Sequence, residues 1–371
     1  MMQQPISRSE SPLSPSTEQL AELIRSKKFE DAIDSLRCFP RESHLDIALQ
    51  MADAGIGVRL FCRLDEFKGV EAEPLVQMLV ERGNYKLAEA GLSFCSKLPM
   101  SVAEQLFRGN APELARHIDA FEGLDNEVAN SLLRAGFRWD VLRSLSRFVG
   151  LDQSTALLLI QSEWEAARVM NNIDRFSVVD AQALARVLIV HRAGNVLTKN
   201  LHLFPTLDHN QIALDLVATD QCWAIKGGPG GLRDLPGEVA DFLLRSRPHR
   251  AESLVGSLGV FRESDRQEVA EKLLKVCSIR NIFNSIEAIE GIDHDAILRK
   301  GTSYIREDRL LSLNVAGLRG LSAEAAGLLI DHGQASAVAA APESFVRLGW
   351  SIGWRLLIRG HVAAGWRCIM P

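Results

Sequence analysis

Apolar residues return along this chain with a long period. Four consecutive segments open Phe-x-x-Leu/Val-Asp, at Phe121, Phe148, Phe176 and Phe204. Each continues with an Ala/Leu/Ile block, a polar break and a second apolar block that runs to the next Phe. The same slot extends back to Phe39, Phe67 and Phe94. It extends forward through Leu235, Phe261, Ile289, Leu318 and Phe345. Most spacings are 27 to 29 residues, with a longer step from Phe204 to Leu235. Three residues before these anchors stand Leu36, Ile118, Leu145, Leu201 and Leu258, and seven before stand Leu60, Leu114, Val141, Leu197 and Leu254. Steps of four and three return to one side of a helix, so the triplet predicts a buried helical stripe repeated about a dozen times.

Each unit reads as two short helices. The first begins at a residue able to cap free N–H groups: Asp125, Asp152, Asp180, Asp208, Asp293 or Ser322. It closes at a glycine suited to the left-handed conformation: Gly55, Gly83, Gly109, Gly136, Gly194, Gly333 or Gly360. Helices of about ten residues do not hold their shape alone and need tertiary packing. Stacked neighbours supply it, which is the physics of a repeat array. No alternating strand pattern competes. The expected fold is all-α, an α-solenoid superhelix of about twelve to thirteen two-helix repeats over residues 17–371, behind a disordered tail at 1–16. One irregular Gly-rich break, Gly227 to Gly231, falls where a second helix is due. It lacks the Gly-Lys-Ser/Thr of a phosphate loop.

In general plan the unit resembles the helical hairpins of HEAT, armadillo and tetratricopeptide proteins, although it is shorter than any of them. It is also similar to TAL-effector-like repeats, hairpins with a variable loop between helices. These resemblances imply architecture and leave function to be argued from surfaces.

Composition narrows the function. Of 371 residues 47% are hydrophobic and the net charge is −5, which disfavours a strongly basic nucleic-acid binder. The six cysteines, Cys38, Cys62, Cys95, Cys222, Cys277 and Cys368, form no CxxC pair and read as reduced thiols packed in a cytoplasmic protein. The first residues are polar, without the apolar centre of a secretory signal, and no run reaches the ~18 apolar residues of a membrane span. His209 and His294 recur just after a cap and read as solvated residues. No HExxH, GxSxG or GxGxxG is present. No catalytic residue, cofactor or metal is therefore assigned, and the chain is expected to be a binding scaffold.

Its candidate surface lies in the central repeats. Trp139, Trp164 and Trp223 stand near the start of second helices. The second helices from Phe121 to Leu235 carry eight Lys/Arg against four acids, including Arg138, Arg143, Arg168 and Lys226. The first helices and loops of that span have the opposite balance. If second helices line a concave face, the groove favours an acidic protein or peptide; nucleic acid is the runner-up. The segment from Phe345 on carries Trp350, Trp354 and Trp366 among four arginines. It reads as a docking face for another chain, or as a truncation.

Overall fold

The computed structural model describes residues 16–56, 58–107, 111–226, 231–287, 289–304 and 314–370. Among them the chain is all-α: twenty-four α-helices and twelve three-residue 3₁₀ turns, with no strand. None of these helices is long and apolar enough to cross a membrane. Tail residues 1–15 and Gly109 lie outside the described residues, as does the break at 227–230.

The repeat from Phe121 shows the plan. Asp125 accepts the Val128 N–H at 2.9 Å and starts the helix Asn126–Arg134. Gly136, at φ +90°, turns the chain into Arg138–Arg143. A 3₁₀ turn, Leu145–Arg147, follows, and Phe148 leaves it in extended backbone. The side chains of Asp152, Asp180, Asp208, Asp293 and Ser322 cap their helices in the same way. Each takes up an otherwise orphaned first-turn N–H.

The stripe is real, but it is not one helix face. Val141 lies on an α-helix, Leu145 opens the 3₁₀ turn, and Phe148 lies beyond both; all three are buried. The Leu of each Phe-x-x-Leu-Asp has a main-chain role. Leu124 donates to the Arg147 carbonyl at 3.0 Å and accepts from Val149 N–H at 2.8 Å, straddling Phe148. The same two-bond rung joins Leu98 to Phe121, Leu151 to Phe176, Leu235 to Phe261 and Leu321 to Phe345. It ties each repeat to the next through backbone alone.

These rungs correct the register twice. Phe94 is 45% exposed and sits inside a 3₁₀ turn; the extended residue after that turn, three before Leu98, is Cys95. Leu235 makes a rung, so the anchor of its repeat is the buried Leu232, 28 residues after Phe204. The long step vanishes, and the Gly-rich segment adds no residues to the period. One closing glycine is also reassigned. Gly194 opens the helix Gly194–Lys199, where a Cβ would come within 2.5 Å of Leu216 Cδ2. Arg192, at φ +59°, makes the turn instead.

The first helices share a column of small residues. Ala48, Ala103, Ala129, Ala156, Ala213 and Ala270 are fully buried in it. A large residue precedes each, such as Ile47, Val128 or Val269, and Leu or Met follows three later. Small side chains let neighbouring first helices approach closely.

A second stripe lies three before, one after and five after that column, at the i, i+4, i+8 spacing of one helix side. It is mostly polar and grips the following repeat. At the first of these positions Glu73, Asn126, Gln267 and Asp295 accept the backbone N–H of Ser96, Asp152, Asp293 and Ser322, at 2.7–3.1 Å. At the second, Asp241 pairs with Lys272 at 2.7 Å, Glu271 with Lys300, and Arg299 with Glu324 at 3.4 Å. At the third, Asp53 meets Arg82 at 3.4 Å and Asp331 meets Arg355.

Contacts divide the chain into two units, Met1–Leu159 with Asn171–Val179, and Ile160–Met170 with Asp180–Pro371. Within the first, His44–Asp53 packs on Ala72–Glu81 and Asn126–Arg134 on Gln153–Leu159. Within the second, first helices pack in unbroken succession from Ala181–Val190 to Trp350–Ile358.

Candidate binding surface

Second helices are short because each must end at the 3₁₀ turn that delivers the anchor. Their first turns project outward. Trp139 is the second residue of Arg138–Arg143 and Trp164 the second residue of Glu163–Met170; they are 57% and 49% exposed. The Arg138 guanidinium lies 5.1 Å from the Trp139 ring centroid, and that of Arg168 lies 5.0 Å from the Trp164 ring. A guanidinium over an indole face is held by the ring quadrupole and leaves a flat, amphipathic plate facing solvent. The two tryptophans thus share one structural slot, although their distances from the next Phe differ.

The other candidate residues scatter. Trp223 is only half-exposed and lies in a 3₁₀ turn, Cys222–Ala224, so it does not start an α-helix. Lys226 is exposed beyond it. Arg138, Trp139 and Arg143 belong to the first unit, and Trp164, Arg168, Trp223 and Lys226 to the second.

The basic charge of the second helices is partly neutralised. Arg143 lies 3.7 Å from Asp140, Arg147 lies 3.6 Å from Glu122, and Arg175 lies 3.4 Å from Asp174. Arg138 donates to the Leu159 carbonyl at 3.2 Å. The field such side chains present to a partner is weaker than their number implies.

Two further expectations need correction. His294 is buried, and so is His44, a residue the repeat pattern did not single out. His294 Nδ1 accepts the Arg319 N–H at 3.0 Å while Nε2 donates to the Ile286 carbonyl at 3.2 Å. His44 bridges Lys68 N–H and the Phe39 carbonyl in the same manner. Both are neutral imidazoles that staple one repeat to the next. The cysteines also divide. Cys222 is buried, whereas Cys38 and Cys62 are exposed. Burial, with the nearby Glu73 charge, pushes the Cys95 thiol up to about 12. Burial, with Glu252, pushes Cys277 up to about 11. Neither forms the thiolate a nucleophile needs at neutral pH. Among the described residues no three His, Cys, Asp or Glu side chains group as metal ligands.

No family model, curated protein or solved structure matches the chain. Function must therefore be argued from these surfaces.

Proposed function

We propose that the repeats continue as an α-solenoid superhelix and that the chain is a non-catalytic cytoplasmic scaffold. Its second-helix face in the central repeats binds a protein or peptide bearing acidic residues. The observation that carries this reading is the recurrence of an exposed Trp under its own Arg in one slot of two successive repeats. Trp and Arg dominate interface hot spots because they bury large area at small entropic cost and pair with carboxylates. An isolated repeat has no folding reason to hold such a plate outward.

Capture of partners from the source lysate tests the reading. A partner held by the wild-type chain should be lost from the Trp139→Ala/Trp164→Ala double variant, a weakening of about 2 kcal/mol or more per hot spot. Retention by the double variant would refute it. The same plates could stack an unpaired base, which keeps a nucleic-acid reading second. Pairing of Arg143, Arg147 and Arg175 with acids counts against it, since phosphate affinity needs cations to spare. Binding of single-stranded nucleic acid that falls steeply and linearly with log salt would reverse the order.

A further inference from the structure

The latch stripe changes character in the repeat anchored by Phe345. Its column residue is Gly353, so the three latch positions fall on Trp350, Trp354 and Ile358. They are 61%, 46% and 80% exposed, and the two indoles meet edge to face with centroids 5.6 Å apart. In the preceding repeats these positions are mostly polar and engaged: Asp295, Arg299 and Asp331 all reach into the repeat that follows.

The partner helix Val362–Ile369 continues the surface. Val362, Trp366 and Met370 are exposed at the same i, i+4, i+8 spacing. The helices are locked together by Gly353 and Gly365, each so close that a Cβ on one would lie within 2.9 Å of the other's carbonyl oxygen. Together with Val346, seven of the nineteen exposed large apolar residues among the described residues fall between 346 and 370. That concentration separates a patch from the scattered apolar residues of an ordinary surface.

Charge limits what can cover it. Between Phe345 and Pro371 there are four arginines and no Asp or Glu, in a chain of net charge −5. Arg355 is paired with Asp331 of the preceding repeat. Arg347, Arg359 and Arg367 are exposed and have no acidic partner among the described residues. A second copy seated face to face would bring like charges together. We propose that this face docks an amphipathic α-helix of another protein, with an aliphatic stripe against Trp350, Trp354 and Ile358 and acidic residues on its flanks. The positions are those that seat a helical hairpin elsewhere in the chain, which favours a helix over a lipid surface. The proposal does not involve the central repeats and stands apart from the function assigned to them.

The test titrates the full chain, by fluorescence anisotropy, with two helical peptides that share a Leu/Ala stripe, one flanked by Glu and the other by Lys. Vesicles containing phosphatidylserine form a third arm. The Glu-flanked peptide should bind at least tenfold more tightly than the Lys-flanked one. Trp354→Ala should weaken it at least tenfold at an unchanged melting temperature, because Trp354 is solvent-facing. Arg359→Glu with Arg367→Glu should reverse the peptide preference. No binding of the Glu-flanked peptide, equal binding of both peptides or indifference to Trp354→Ala would overturn the proposal. So would capture by anionic vesicles in place of the peptide.

Discussion

At the scale of single residues, the fold depends on what is missing as much as on what is present. The small column works because each alanine presents nothing beyond Cβ to the neighbouring helix. Ala129 is fully buried between Val128 and Leu132. Enlarging it to Leu should cost about 1–3 kcal/mol by overpacking, read as a lower denaturant midpoint with unchanged slope. The caps provide a pH signature. The Asp152 carboxyl is lowered from 3.8 to about 2, chiefly because the Thr155 backbone N–H bonds its charged form, with help from Ser154, Asn126 and the Thr155 hydroxyl. A depressed carboxyl stabilises the fold above its unfolded pKa and loses that contribution as pH falls through the folded one. Asp152→Asn should therefore be less stable than wild type at neutral pH. The gap should close as pH falls from about 4 to about 2. A gap that stays constant across that range would show that the charge has no part in the cap.

Between elements, the decisive contacts are side chains that accept a backbone N–H of the next repeat. One latch fails, and the failure is informative. Asn210 occupies the same position as Asn126 and Gln267, yet its Oδ1 is buried with no partner among the described residues. The residue at the start of the following first helix is Pro236, which has no N–H to give. Asn126→Ala should cost about 1–2 kcal/mol, since the Asp152 N–H and the Thr155 hydroxyl lose an acceptor. Asn210→Ala should cost far less, because no bond is lost and an unsatisfied oxygen is removed; chemical denaturation of the two variants side by side checks the contrast. The period, the caps and most anchors could be read from the sequence because apolar spacing and cap chemistry are local. The latches could not, because a polar residue bonded to a distant backbone looks the same in sequence as one facing water. His294 was misread for that reason. The anchor at Cys95 was missed because Phe94 beside it is the more hydrophobic residue, whereas backbone conformation alone selects the slot. Trp139 and Trp164 were assigned to different slots because the count ran from the anchor. Their helices have six and eight residues, and only a count from the helix start makes them equivalent.

For the whole molecule, what matters is whether the repeat-to-repeat rule runs without interruption. Within each unit the same rung, small column and latch recur, and none of them depends on a residue far along the chain. A structure held together only by neighbours has no central core to close around, so its natural continuation is linear. A compact globule of this length would have a radius of gyration of about 21 Å. About twelve layers at 8–10 Å each make a body of roughly 100 Å, whose radius of gyration is about 30 Å. Small-angle X-ray scattering of the purified chain separates the two values directly. About 30 Å, with a pair-distance distribution skewed to long distances, is the result expected of the proposed superhelix. A value near 21 Å would mean that the repeats fold back on themselves and would remove the extended groove from the functional proposal. Local energetics follow from the same linearity. Destabilising a rung in one repeat should loosen hydrogen-exchange protection mainly in that repeat and its neighbours, and a uniform loss across the chain would point to a shared core instead.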